Sequence, residues 1–201
     1  MLPTECKMPD LSDLDFPLKK YLVLHALVGD KGLTHKESLY RRNFVRLVDK
    51  TIKEYQEARS AIVLQIQEME RPPEEMSKEG RIIHILAFTD HFETCINAIN
   101  RLLKQLERMK SKNGSWIIPR LTSRAIEAYT KSIPDIRNVT EHMAEAIQKD
   151  ELENGQPVML MVGGNGDRAV LASYEIKFTD IATAIRRLHE LAMNLFNTNE
   201  I

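Results

Sequence analysis

Along most of the chain, apolar residues recur at alternating steps of three and four, the pattern of amphipathic helices. From Lys36 to Glu70, Val45, Val48, Ile52, Tyr55, Ile62, Ile66 and Met69 fall on one face, with Arg59 set into the same stripe. Pro72-Pro73 closes that helix, because proline cannot continue the backbone ladder. Ser77 stands ready to cap a second long helix, Lys78 to Met109, striped by Ile82, Leu86, Phe92, Ile96, Ile99, Leu103 and Leu106. Two such helices joined by a tight Pro-rich turn predict an antiparallel hairpin ~45 Å long. Its apolar face needs cover from other helices or from a second subunit.

The remaining segments are shorter. Residues 1–17 carry three prolines and scattered acids, and read as a flexible N-terminal arm. A short apolar helix is expected from Leu18 to Val28, ended by Gly29-Asp30-Lys31-Gly32. Lys110 to Ile118 is a polar, Gly-containing linker, after which Thr122 or Ser123 begins a helix to about Lys131. Ser132-Ile133-Pro134-Asp135 then supplies an N-cap, a proline tolerated in the first turn, and an acid that suits the helix dipole. The helix that follows, Ile133 to about Asp150, turns Ile136, Val139, Met143 and Ile147 inward.

Beyond it the period changes from 3.6 to 2. Pro157 to Val162, Gly163-Gly164-Asn165-Gly166-Asp167, and Arg168 to Phe178 read as a β-hairpin around a glycine-rich turn. Thr179 is placed to cap a last helix with Ile181, Ile185, Leu188, Leu191 and Leu195 on one side. The expected architecture is mostly α: a four-helix-bundle-like core on a long antiparallel hairpin, with one β-hairpin at about 157–178 before the C-terminal helix. Residues 18–201 would form one domain.

Length and composition agree with that picture. The 201 residues suffice for one domain with a real core, and 28 Lys and Arg against 29 Asp and Glu leave a net charge of -1. No global positive field draws the chain to nucleic acid or anionic lipid, so any RNA contact must be local. Cys6 and Cys95 alone build neither a disulfide framework nor a zinc site, which points to a reducing, cytoplasmic setting. The first residues show no signal-peptide pattern, and no apolar run approaches the ~18–20 residues of a membrane span. Sequons at Asn113 and Asn138 are therefore read as chance matches.

Candidate chemistry concentrates in Arg137-Asn138-Val139-Thr140-Glu141-His142, which sets a permanent cation, an amide and an imidazole within two turns of one helix. Asn138 and His142, four apart, share a face; Arg137 and His142, five apart, are separated by about 140°. Arg137 can also pair with Glu141, at only ~0.3–0.5 kcal/mol for an exposed pair. The spacing resembles the R-x4-H signature of HEPN-domain proteins, an all-helical family that includes many metal-independent ribonucleases. Asn138 fits the polar residue that follows the family's arginine. Ile136 and Val139, the helix start just before the motif and the long hairpin upstream fit as well. In architecture the resemblance spans roughly residues 36–196, and in motif about 133–147. The β-hairpin lies outside the minimal family pattern, and the tyrosine that some toxin members carry after the histidine is absent here.

The resemblance implies a homodimer in which Arg137, Asn138 and His142 of both copies line one cleft, with no cofactor. The implied reaction is attack of a ribose 2′-hydroxyl on the neighbouring phosphorus. His142 would move a proton, since its ordinary pKa of ~6.5 allows either state near neutrality, and Arg137 would grip phosphoryl oxygens. Roles in defence or stress response follow, with RNA and a regulatory protein as partners besides the second copy, and no membrane.

Other candidates are weaker. Arg41, Arg42 and Arg46, with Lys50 and Lys53 behind them, form a basic cluster that could contact RNA or phosphate. His84, Asp90 and His91 share a helix, but no Glu-x-x-His pair exists to build a bundle metal site, so no metal is expected. The glycine-rich turn lacks the Lys-Ser/Thr of a phosphate loop. The alternative from another class is a non-catalytic helical module for dimerisation or protein interaction.

Overall fold

The computed structural model describes the chain except for residues 1–2, 15–17, 19, 22, 24–26, 28–32, 111–117, 164 and 198–201. Most of the helix expected at Leu18–Val28, the glycines after it, and most of the 110–118 linker lie outside the described residues; Leu18, Lys20, Tyr21, Val23 and Leu27 are helical. Six further helices follow, with a small sheet before the last.

Helix α1, His35–Glu70, opens on a capping box that Thr34-His35-Lys36-Glu37 makes legible. Thr34 Oγ1 accepts from the Glu37 amide at 3.3 Å, and the Glu37 carboxylate accepts from the Thr34 amide at 2.8 Å. Its main partner is α3, Ile85–Met109. Phe44, Val48, Ile52, Tyr55 and Ile62 close against Phe92, Ile96, Ile99, Leu102 and Leu106, all buried. Side-chain burial of this kind contributes ~1.5–3 kcal/mol per residue. Polar groups inside the hairpin are answered from the facing helix: Gln105 accepts from Asn43 Nδ2 at 2.7 Å and donates to the Tyr40 carbonyl at 2.5 Å.

The hairpin turn corrects the sequence reading. Pro73 starts a separate short helix, α2, Pro73–Glu79, which ends at Gly80 with φ of 76°. Ser77 lies inside it and donates to the Glu74 carbonyl, so it caps nothing downstream. Helix α3 is capped from across the hairpin: Gln65 Oε1 accepts from the amides of His84 and Ile85 at 2.9 and 3.1 Å, and Glu68 Oε1 from Ile82 at 3.1 Å. Ile82 and Leu86, assigned to the apolar stripe, are exposed as a result, and Met69 and Ile147 also face solvent.

Helices α4, Arg120–Tyr129, α5, Ile133–Gln148, and α6, Phe178–Asn197, complete the bundle. α6 packs on α1 and α4, and α5 packs on α3. Thr179 falls within the first turn of α6, one residue after its start, and its carbonyl accepts from Thr183. Phe178 stands edge-on to Phe88 and Phe92, with ring centroids 5.9 and 5.5 Å apart. Ile181, Ile185, Leu188, Leu191 and Leu195 are buried as expected.

The expected hairpin is a three-stranded antiparallel sheet, β1 Met161–Gly163, β2 Arg168–Leu171 and β3 Tyr174–Lys177, in sequential order. The second arm folds back at Ala172-Ser173, where Ala172 takes a φ of 50°, and Leu171 pairs with Tyr174. No glycine, asparagine or proline marks that turn. Its trace is the parity of the buried positions, which passes from Ala169 and Leu171 to Ile176 and Phe178.

Residues 3–14 are packed down, unlike the loose arm their composition suggested. Met8, Leu11 and Leu14 are buried in the core. Arg59, the cation on the α1 stripe, donates to the Met8 carbonyl at 3.0 Å. Arg186 on α6 grips both carboxylate oxygens of Asp13, at 2.6 and 3.1 Å, and the Asp10 carbonyl at 3.1 Å. The Lys7 amide donates to Gly166 in the β1–β2 turn. Gly166 has a φ of 77°, and a Cβ there would stand 2.0 Å from the Glu5 carbonyl oxygen, so only glycine admits the arm.

Candidate functional site

α5 carries the Arg-to-His motif, and its start is set by Pro134 and Asp135 in the first turn. Ser132 occupies the N-cap position but adopts helical angles, φ −84° and ψ −9°, and makes no side-chain cap; its carbonyl accepts from Ile136. Ile133, Ile136 and Met143 turn into the core, with Val139 half-buried beside them. That choice of face sends Asn138, Glu141 and His142 to solvent, and leaves Arg137 at the edge.

Among the described residues, the ion-pair partners of Arg137 and His142 come from their own helix. Arg137 pairs with Glu141 one turn on, and the guanidinium side chain is 31% exposed. His142 Nδ1 stands 3.5 Å from Glu145 Oε1, with the imidazole side chain 55% exposed. Asn138 shares the solvent-facing ridge with His142. The amide and the imidazole are thus offered along one face, and the guanidinium, about 140° around the helix from His142, is tethered at its edge by one exposed ion pair.

The basic cluster on α1 does not form a surface as the sequence drew it. Arg41 is fully buried, and its Nη1 donates to the Leu195 carbonyl at 3.4 Å, near the C-terminal end of α6. Burial, together with neighbouring Arg42, holds its pKa below the usual arginine value. A guanidinium at a helix C-terminus complements the dipole, so Arg41 belongs to the core and cannot meet a phosphate from solvent. Arg42 and Arg46 are exposed; Arg46 Nη2 donates to Asn43 Oδ1 at 3.1 Å.

His84, Asp90 and His91 are not brought together around a metal. His84 sits at the N-cap position of α3, while His91 Nδ1 meets Glu54 Oε2 at 2.8 Å. Among the described residues no group of three His, Cys, Asp or Glu could hold a metal ion. Cys95 is buried and 3.7 Å from the Thr51 carbonyl; burial pushes its thiol pKa far up, which makes it an inert core residue. Among the described residues no helix is long and apolar enough to cross a membrane.

Sequence reasoning passed over Gln65, Asn100 and Gln105. Each is a polar residue on the buried side of a long helix, near Ile62, Ile96 and Leu102 respectively. A polar residue on an apolar stripe is the available signal, since burial demands a partner for it. Gln65 and Gln105 have theirs across the hairpin. Comparison of the chain with family models, with curated proteins and with solved structures finds no match to any of them.

Proposed function

We propose that the exposed ridge of α5 acts on RNA, as a HEPN-like, metal-independent endoribonuclease or RNA-binding relative. The observation that carries this reading is the exposure of Asn138 and His142 along one face of α5 with Arg137 at its edge, their ion-pair partners among the described residues being carboxylates of α5 itself. Arg137 would exchange Glu141 for phosphoryl oxygens, a swap that an exposed pair worth ~0.3–0.5 kcal/mol does not prevent. His142 would carry the proton between the ribose 2′-hydroxyl and the leaving oxygen. Both groups reach the surface of the single chain, and a second copy across the same face would complete the cleft. The long α1–α3 hairpin upstream of the motif supports this reading, since the resemblance implies such a scaffold.

One observation favours the other class. Leu64, Ile82, Ile83 and Leu86 are exposed around the turn between α1 and α3, the ends of which are joined through Gln65 and Glu68. An apolar surface of that kind suits a protein partner, and a pure interaction module would use it without any reaction.

The test is incubation of the purified protein with a labelled structured RNA in EDTA, beside a His142→Ala variant. The nuclease reading expects cleavage by the wild type alone, with 2′,3′-cyclic phosphate ends. Absence of cleavage with retained RNA binding favours the RNA-binding relative. Absence of both moves the assignment to the interaction module.

A further inference from the structure

The outer face of the α1–α3 hairpin is divided by charge. The two helices run antiparallel, and their relative level is fixed by Asn43, which donates to Gln105 at 2.7 Å, and by the Cys95 thiol, 3.7 Å from the Thr51 carbonyl. On α1, Arg46, Lys50 and Lys53 follow Asn43 at steps of three and four. On α3, Arg101, Lys104 and Arg108 bracket Gln105 with the same steps. Residues so spaced share a helix face. The apolar faces of both helices point the other way, so the two cationic rows lie side by side at the ~8–10 Å that separates packed helices. Five of the six side chains are exposed, and Lys50 is half-buried.

The fold leaves these cations unneutralised. None of the six has a carboxylate at ion-pair distance among the described residues, whereas Arg71, Arg137, Arg168, Arg186 and Arg187 each do. Arg46 donates only to the Asn43 side chain, at 3.1 Å. The acids in the same stretch do not offset the rows: Lys110 holds Glu107 at 2.7 Å, and Asp49 is half-buried. Acids collect instead toward the hairpin turn, where Glu54 meets His91 at 2.8 Å beside Glu57, Asp90 and Glu93. Like charges one turn apart repel, and an anionic occupant would relieve that repulsion.

The spacing specifies the anion. Cations recur once per helical turn, ~5.4 Å, in each row. That repeat is close to the separation of successive phosphates along an RNA strand. Three of the six are arginines, whose planar fork takes two phosphate oxygens at once. Between Arg46 and Lys53, and between Arg101 and Arg108, no large apolar side chain is exposed, so the face lacks the anchors a lipid surface would take up.

We propose that the outer face of the hairpin binds the phosphate backbone of an RNA strand through Arg46, Lys50 and Lys53 on α1 and Arg101, Lys104 and Arg108 on α3. The proposal rests on the RNA reading of α5. It supplies the local cationic surface that a chain of net charge -1 needs for any contact with RNA. Lys104 also lines the hollow beside Pro134 at the start of α5, so the surface borders the helix that carries the motif.

The experiment measures binding of the full chain to a labelled, uncleavable 2′-O-methyl oligonucleotide by fluorescence anisotropy over a series of salt concentrations. Combined Arg101→Glu and Arg108→Glu substitutions, both at exposed positions of α3, should weaken binding tenfold or more. They should also flatten the salt dependence by about 1.4 in log–log slope, at ~0.7 per phosphate contact on a single strand. Arg120→Glu with Arg124→Glu makes the same change of charge on α4, and should leave affinity within twofold. A nuclear magnetic resonance titration of the wild type with the same oligonucleotide is the second readout, independent of any variant. The side-chain Nε–H signals of Arg46, Arg101 and Arg108 are expected to move.

Equal weakening by the α3 and α4 pairs would overturn the proposal, because net charge and not this face would then govern binding. Oligonucleotide binding that moves Arg137 and leaves Arg46, Arg101 and Arg108 still would overturn the hairpin face and keep the RNA reading of α5. Tighter binding to phosphatidylserine vesicles than to the oligonucleotide, lost with Arg101→Glu and Arg108→Glu, would overturn RNA as the occupant and make the face a membrane contact. No binding of the oligonucleotide by the wild type would overturn both this proposal and the RNA reading.

Discussion

The α1–α3 hairpin and the outer face of α5 treat polar side chains in opposite ways. Inside the hairpin, Gln65, Glu68 and Gln105 are buried and each meets a group distant in sequence, across the helix pair. On α5, the partners of Arg137 and His142 among the described residues are carboxylates three or four residues along the same helix. The first arrangement fixes the fold, because each buried group would be costly without its partner. The second leaves groups free to exchange a weak local partner for a ligand.

The largest expected effect lies in the hairpin. Ile99→Ala should cost about 2–5 kcal/mol of unfolding free energy through lost contacts and a residual cavity. Arg137→Ala and His142→Ala should stay within about 0.5 kcal/mol of the wild type. Urea unfolding of all three checks the contrast, and a motif variant that destabilised as much as Ile99→Ala would break it.

Gln65→Leu comes next. It removes the acceptor for two amides at the start of α3 and should cost about 1–3 kcal/mol. Hydrogen exchange would register it as early loss of protection at His84 and Ile85, ahead of the middle of α3. Uniform loss along α3 would show that Gln65 acts through packing and not through capping.

The smallest effect concerns the N-terminal arm and its response to acid. The Ser12 amide and then Gln56 hold the Asp10 carboxyl at about 2, and the Arg186 guanidinium holds Asp13 below its ordinary 3.8. Burial holds His189, beside Leu14 and Asp13, below 6.5. All three pKa values are depressed in the folded protein. Their stabilising contributions are therefore present at neutral pH and lost as pH falls, first His189 below 6.5, then the aspartates from 3.8 down to about 2. An acid-stable protease should cut residues 3–14 increasingly over that range, and an Arg186→Ala variant should already be cut at neutral pH. An arm equally protected at pH 3 and pH 7 would contradict this.

Period and breakers made the long elements legible. The α1 stripe and Pro72-Pro73 place that helix to within a residue, and the α6 stripe is buried as drawn. The start of α3 was hidden because its cap comes from Gln65, nineteen residues before His84 and invisible to local pattern. The β2–β3 turn was hidden because Ala172-Ser173 carries no turn residue. At the site, the motif was readable as spacing, and its exposure followed from the opposite apolar flank. The burial of Arg41 was not readable, since charge within a basic run argues for solvent and only the packing of α6 onto α1 puts it inside.

The most direct measurement of the central claim, that the α5 ridge acts on RNA through the ribose hydroxyl without metal, uses two RNAs identical but for one position. The cut site is mapped in EDTA, and the nucleotide on its 5′ side is then replaced by its 2′-deoxy form. The account predicts that cleavage at that bond disappears with the substitution, and disappears equally with His142→Ala on the unmodified RNA. Persistent cleavage of the 2′-deoxy bond, or by His142→Ala protein, would contradict it.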